Sequence, residues 1–234
     1  VFKDEDDLKK HLHAGAKSVI LSAPTSSEAV PTVVHGVNRP GEPQRIISCA
    51  SCTTNFITPI VDVAHRHVGI ERAVMTTVHA FTAGQNLVDG PHKSVRRGRS
   101  GAANLVPAST GAAKATTRAI TELRDRFDGI AVRAPIPVGS IADVVFVASR
   151  PTSVDEINEA FRSEAASERY RDVLGVSEDP LVSSDIVGDP RAAVVDLELT
   201  RVVDQTLAKV MAWYDNEWGF TNQMVREARA MLHV

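Results

Sequence analysis

The sequence predicts an α/β segment leading into an α+β unit built on a mostly antiparallel sheet with helices. Three observations carry this prediction. Helical and strand-like patterns alternate through the first third of the chain. Four strand candidates then crowd the stretch after residue 128 with one long helix among them, which favours antiparallel pairing. Finally, 43% of the 234 residues are hydrophobic, ample for one large core or two small ones.

Leu8 and Leu12 stand one helical turn apart in a polar stretch that Gly15 ends, the pattern of a short helix. The chain opens on Val1, not Met, inside that pattern, so it is expected to be a piece of a longer protein. "KSVILSAP" is a brief apolar burst suited to a buried parallel strand. "PTVVHGVN" and "RIISCA" read as two further strands, separated by "RPGEPQ", whose prolines and glycine continue neither. After Cys52, "TTNFITPIVDVAHRHVG" puts Phe56, Ile60, Val63 and His67 on one helical face, with Pro59 expected close enough to the start to be tolerated.

"RAVMTTVHA" alternates as a strand, with Met75, Thr77 and His79 on one face and Val74, Thr76 and Val78 on the other. From Thr82 to Ala103 no period survives, and an irregular stretch of that length is functional or disordered. "STGAAKATTRAITELRDRF" reads as a helix capped by Ser109 or Thr110. "GIAVRAPIP", "SIADVVFVAS", "AAVVDLEL" and "LAKVMAWY" are the four strand candidates. The helix among them begins with a capping box, Ser153 and Glu156. "NEWGFTNQMVREARAML" closes the chain as an amphipathic helix.

Net charge is −3 with no run of like charge, so neither nucleic acid nor an anionic membrane is an expected partner. No apolar stretch approaches the roughly 20 residues of a membrane span. Two cysteines cannot form a multi-bridge scaffold and no signal peptide is evident, so a reducing cytoplasm is the expected location.

Those two cysteines, Cys49 and Cys52, form a C-x-x-C in "SCASCTTN". The spacing admits a redox disulfide, half of a zinc site, two buried apolar residues, or one catalytic thiolate beside a bystander. Cys52 follows a strand and opens a helix, where free N–H groups and the helix dipole favour a thiolate. Zinc needs a second ligand pair; no other C-x-x-C exists and His65 and His67 lie too far round their helix, so no metal is expected. Among eight histidines His79 is the best candidate base, lying near a strand end just before the long loop, although a strand histidine taken alone is more often a core residue. That loop gathers His92, Lys93, Arg96, Arg97 and Arg99, either a solvated basic loop or a phosphate clamp. "STG" then opens a helix with hydroxyls and N–H groups suited to an anion. Two anion-binding devices beside a nucleophile and a base point to a phosphorylated substrate, or to phosphate as a reactant.

In order and at fitting spacings, "SCASCTTN", "TTVHAFT", "RRGR", "PASTGAAKA", "VRAPIPVGS" and "WYDNEWGFTNQM" resemble the phosphorylating glyceraldehyde-3-phosphate dehydrogenase family over essentially the whole chain. The match is to the final two thirds of that family's chain. The resemblance therefore implies that about 100 residues of a Rossmann-like dinucleotide-binding domain, with its glycine-rich turn and ribose-gripping acid, are missing here. It divides the chain into residues 1–51, the end of the NAD(P)-binding domain; 52–215, the catalytic domain; and 216–234, a helix returning to the first domain. It implies Cys52 as nucleophile and His79 as base, with glyceraldehyde 3-phosphate and inorganic phosphate as reactants. Thr82 and Arg133 would line one phosphate site, and Ser51, Thr53, Arg97, Thr110 and Gly111 the other. Asn216 would hold the nicotinamide carboxamide and Ser22 would touch the cofactor. The cofactor would be NAD or NADP, with a lean to NAD, and Pro91 after Gly90 lies near the position that influences that choice. A homotetramer is implied, its long loop near a neighbour's cofactor.

Four positions depart from the family pattern: Cys49 stands for a common asparagine, Phe56 for a second cysteine, Phe220 for a tyrosine and Gly84 for an aspartate. Three alternatives stay open at this point: a dehydrogenase of the same family acting on erythrose 4-phosphate, a thiol redox protein using Cys49 with Cys52, and a fragment that, without the glycine-rich turn, has only a binding or structural role.

Overall fold

The computed structural model describes residues 2–232; Val1, His233 and Val234, the outermost positions of the expected first and last segments, lie outside them. Helix α1 (Glu5–His13) forms where expected. Asp4 caps it by accepting the Asp7 N–H, and acids in its first turn and bases in its last suit the helix dipole. Its one buried residue, Leu8, packs with Leu21 and Val30. Strands β1 (Val19–Leu21) and β2 (Ile46–Ser48) pair in parallel, Leu21 opposite Ser48. The strand expected in "PTVVHGVN" does not form beyond a single bridge from Thr32 to Ser48. Asn38 is the reason: its side chain accepts the Val34 N–H at 2.9 Å and donates to Thr32 O at 2.8 Å, closing a turn that β-branched neighbours cannot override.

Helix α2 (Cys52–Val68) is capped by Ser51, whose Oγ accepts the Thr54 N–H at 3.1 Å. Pro59 is not near the start, as expected, but in the interior. The helix tolerates a defect costing about 3 kcal/mol because Phe56, Ile57, Ile60, Val61 and Val63 are all sealed from solvent. Each such side chain contributes about 1.5–3 kcal/mol.

The remaining strands form one seven-stranded sheet: β3 (Ile70–Ala80), β4 (Val106–Ser109), β5 (Phe127–Ala134), β6 (Ser140–Ala148), β7 (Leu174–Ser177), β8 (Ala193–Val203) and β9 (Leu207–Tyr214). Their order is β4-β5-β3-β6-β9-β8-β7. The β3–β5 and β7–β8 pairs are parallel and the other four antiparallel, as the expected mostly antiparallel sheet requires. Edge strands β4 and β7, four residues each, are too short to show alternation and escape sequence reading.

The long helix expected from Ser109 is shorter than its pattern. Ser109 ends β4, Gly111 is the cap residue, and α3 spans only Ala112–Ala119. Thr116 and Thr117 lead into Ile120, which leaves helical geometry, and Asp125 in a left-handed turn (φ 61°) redirects the chain into β5. Helix α4 (Val154–Ala166) starts as expected, with Ser153 Oγ accepting the Glu156 N–H at 3.2 Å. Only half of the capping box forms, because the Glu156 carboxylate is taken by Arg150 and Thr152.

Helices α2, α3 and α4 pack on one face of the sheet, where Met75, Thr77 and His79 are buried while Val74 faces out. Helix α5 (Trp218–Leu232) returns to the first segment, laying Phe220, Met224 and Met231 over Val33, Ile47 and Cys49. Glu227 on the same helix takes His35 and Arg39. The stretch from Thr82 to Ala103 has little regular structure beyond a 3₁₀ turn at Val95–Gly98, yet it is pinned: Asp89 accepts from Arg99 and Ser100, and Gly90 N–H donates to Gly98 O at 2.9 Å. A Cβ at Gly98 would lie 2.6 Å from Gly90 O, so this crossing admits only glycine. No described helix is long and apolar enough to cross a membrane.

Candidate active site

The first turn of α2 and the last residues of β3 meet at one point. Cys52 Sγ lies 3.4 Å from His79 Nε2, hydrogen-bond range for sulfur. The local sequence dictates both placements. Ser51 halts the chain in extended geometry and caps the helix, so that Cys52 is its first residue. Strand alternation then carries His79 inward alongside Met75 and Thr77.

Tyr214 builds the floor. Its ring stacks on Phe56 at 4.2 Å and meets the His79 ring edge-on at 5.9 Å. Its hydroxyl lies 3.2 Å from Thr53 Oγ1 and 2.9 Å from Thr77 Oγ1. Phe56, one of the four departures, thus supplies an aromatic face for this tyrosine. Tyr214 and Thr77 escaped sequence reading of the site, although a tyrosine closing an apolar strand directly before "DNEWG" was the available signal.

Arg133 stands opposite His79 in the β3–β5 register. Its Nη1 lies 2.5 Å from His79 Nδ1 and 3.2 Å from Ala80 O, while Nδ1 itself lies 2.7 Å from Ala80 O. These neighbours make opposite demands. The carbonyl asks for Nδ1–H, which frees Nε2 to receive the Cys52 proton; the guanidinium asks for a lone pair on Nδ1, which puts the hydrogen on Nε2. Among the described residues Arg133 Nε is buried with no partner, so it is open to an acceptor.

Electrostatics departs from one expectation. Cys52 was expected below its ordinary pKa, but burial pushes it up against the opposing pull of Thr53, the helix-start backbone and Arg133. Burial, and then the Arg133 charge, lower His79 to about 4. Both shifts favour the uncharged pair, thiol and neutral imidazole, over thiolate and imidazolium. Cys49 is pushed up to about 12 by burial and then by Glu227. It packs with Val33, Ile47 and Phe220 in a cluster separate from the one Cys52 touches, and both thiols are free. Two of the departures, Cys49 and Phe220, therefore share one apolar site.

The other expected residues fall as follows. Thr53 turns its hydroxyl toward Tyr214, and Ser51 caps α2. Thr82 and Arg97 flank Gly84, where a Cβ would lie 3.8 Å from Thr82 Oγ1 and 3.4 Å from Arg97 Nη1. Burial lowers the Arg133 pKa, and Arg97 lies close enough for its charge to add to that. Thr110 Oγ1 accepts the Ala112 N–H at 3.2 Å, and Gly111 opens α3. Ser22 is exposed just past the C-terminal end of β1, the edge of a parallel sheet where ligands bind. Asn216 Oδ1 accepts from the Gly139 N–H at 3.2 Å and the Ser140 hydroxyl at 3.1 Å. No group of three or more potential metal ligands occurs among the described residues.

Comparison with known proteins agrees with this geometry. Residues 51–216 match the family model described as glyceraldehyde 3-phosphate dehydrogenase, C-terminal domain. The chain is 49% identical over 228 residues to glyceraldehyde-3-phosphate dehydrogenase 1 of Streptomyces avermitilis, covering 96% of this chain and 67% of the relative. It is 49% identical to the glyceraldehyde-3-phosphate dehydrogenase of Mycobacterium avium, over 96% of this chain and 66% of that one. With the enzyme of that name from Zymomonas mobilis it shares 43% identity over 99% of this chain and 69% of the relative. The chain thus spans about two thirds of the length of these relatives.

Proposed function

The chain belongs to the glyceraldehyde 3-phosphate dehydrogenase family, and we propose that it carries the oxidation and phosphorylation of glyceraldehyde 3-phosphate to 1,3-bisphosphoglycerate. The observation that carries this reading is Cys52 Sγ at 3.4 Å from His79 Nε2 with Arg133 beside the same ring. The Cys52 sulfur attacks the aldehyde carbon, and its proton passes through His79 Nε2 to the carbonyl oxygen, giving a thiohemiacetal. The Cys52 N–H at the helix start steadies the oxygen as charge develops on it. A nicotinamide cofactor, when bound, supplies the acceptor for the hydride that leaves this carbon. His79 takes the hydroxyl proton in the same step, leaving a thioester on Cys52. A phosphate oxygen then attacks the thioester carbonyl, the C–S bond breaks, and His79 returns a proton to the departing sulfur as the acyl phosphate leaves.

Arg133 and Thr82 would hold the substrate phosphate, and Ser51, Thr53, Arg97, Thr110 and Gly111 the attacking one. The unpartnered Arg133 Nε supports the first site. An anion there would draw the guanidinium from Nδ1 and leave Ala80 O to select the tautomer whose Nε2 is a base.

Asn216 fits a nicotinamide carboxamide, because both donors it meets converge on Oδ1 and its amide N–H groups remain to donate. Ser22 is a second cofactor contact. Of NAD and NADP we favour NAD. We read residues 1–51 as the end of the cofactor-binding domain, 52–215 as the catalytic domain and 216–234 as the returning helix, supported by the packing of α5 on Val33 and Ile47. Exposed Leu87, Val88 and Val95 on the long loop and Val74 and Ile130 on the open sheet face support assembly into a homotetramer. The two free thiols suit a reducing cytoplasm.

Steady-state rates of the full-length protein with glyceraldehyde 3-phosphate and erythrose 4-phosphate, each with NAD or NADP and with or without phosphate, test the reading. Phosphate-dependent reduction of NAD with the three-carbon aldehyde is expected. Turnover that survives replacement of Cys52 would refute it.

A further inference from the structure

We propose that Ser140 is a positioning residue for the cofactor step, acting through Asn216 to fix which end of that amide faces the nicotinamide. The inference rests on the dehydrogenase reading above. Ser140 opens β6 and is 1% exposed, a polar residue at an inward position of an otherwise apolar strand face. Its Oγ accepts the Ala80 N–H at 3.2 Å, which leaves its own proton to be aimed elsewhere, and Asn216 Oδ1 lies 3.1 Å away. The Gly139 N–H reaches the same oxygen at 3.2 Å. Turning the amide over would set an Nδ2 hydrogen against the Gly139 N–H, a donor that cannot reverse, so that backbone group assigns oxygen inward and nitrogen outward, and the Ser140 hydroxyl with its proton aimed at the same oxygen reinforces the choice.

The frame around this amide is equally determined. The Asp215 carboxylate accepts the N–H groups of Glu217, Trp218 and Gly188 at 2.8 Å each, which fixes the backbone leading into Asn216. Gly139 holds a φ of 90°, and a Cβ there would stand 2.4 Å from Ser183 O. Backbone and one hydroxyl together leave the Asn216 side chain a single orientation, presented as a donor before any cofactor arrives. That removes an ordering cost from binding.

Equilibrium titration of the full-length protein with NAD, followed by protein fluorescence, tests this without turnover. Ser140→Ala is expected to weaken NAD binding about tenfold, the scale of one hydrogen bond to a positioned group. Asn216→Ala is expected to weaken it at least as much, and adding Ser140→Ala to Asn216→Ala is expected to change nothing further. Undiminished binding by Ser140→Ala overturns the inference. So does a Ser140→Ala effect that persists in full without Asn216, because the hydroxyl then acts elsewhere. If Asn216→Ala binds NAD as the parent does, the cofactor role of Asn216 falls and this inference with it. Failure of the dehydrogenase reading itself shows separately, as a parent protein that does not bind NAD. Thermal melts check folding of each variant. Should Ser140→Ala not fold, Ser140→Cys, of similar size with a weaker donor, carries the same cycle with a smaller loss that again vanishes without Asn216.

Discussion

The proposed reactive pair and the proposed anion cradle are built from different material. Cys52 and His79 stand on the first turn of a buried helix and the inward face of a central strand, with the Tyr214 ring packed against the His79 ring. Thr82 and Arg97 stand on a loop whose shape depends on Asp89, two glycines and a 3₁₀ turn. Bond making needs atoms held to fractions of an ångström, which packed elements supply. Gripping a phosphate needs charge within reach, which a long arginine on a pinned loop supplies. Arg133 joins the two, a cation of the proposed cradle resting on the ring of the proposed base.

This contrast orders the expected effects. Replacing Cys52 with Ser or Ala should abolish phosphate-dependent NAD reduction, because Cys49, the other thiol of this chain, packs in a separate cluster; any turnover above background would end the assignment of the nucleophile. Replacing His79 with Asn should slow turnover by about 10²–10⁴-fold. The same substitution has a second readout. Folded His79 titrates at about 4 against an ordinary 6.5, so the unfolded chain binds the extra proton first. Stability is then full above pH 6.5 and falls as pH drops toward 4, by about 3 kcal/mol in all. Urea unfolding across that window should show the loss in the parent and a flatter profile in His79→Asn.

Arg133→Gln removes a charge that lowers the His79 pKa, so NMR titration of the ring should place its midpoint above the parent's value of about 4. A midpoint unmoved or lower would mean that the guanidinium does not act on the base. On the loop, Arg97→Ala should raise the KM for phosphate about 10- to 100-fold with a smaller change in kcat, as loss of a charged hydrogen bond predicts. Equal losses in both constants would instead put Arg97 in the chemical step. The smallest expected effect is that of Cys49→Ala. It trims a side chain from the Val33–Ile47–Phe220 cluster, lowering stability by about 1 kcal/mol while leaving turnover intact. Lost activity would revive the C-x-x-C reading.

Much of this contrast was legible beforehand. Helix-start placement singled out Cys52, and strand alternation put His79 on the buried face, because both signals are local. The anion devices were legible as residue types, since arginine forks and a hydroxyl-glycine helix opening imply phosphate wherever they point. Local signals failed where a competing side-chain bond or long-range packing outweighed them. "PTVVHGVN" looks extended, but Asn38 bends it into a turn. Pro59 sits mid-helix, but surrounding burial outweighs its missing N–H. The helix dipole favours a thiolate at Cys52, but desolvation of the sulfur acts against it and raises the pKa.

By itself, the order of residues determined where the long helices α2, α4 and α5 and the central strands form and which of their side chains face inward, because hydrogen-bond caps and alternation act over a few positions. Tertiary structure alone decided that Arg133 leans on His79, that Tyr214 underlies Cys52 and that Ser140 meets Asn216, across separations of 54, 161 and 76 residues for the bonds involved. Such contacts follow from sheet order and strand register, which no short stretch of the chain encodes.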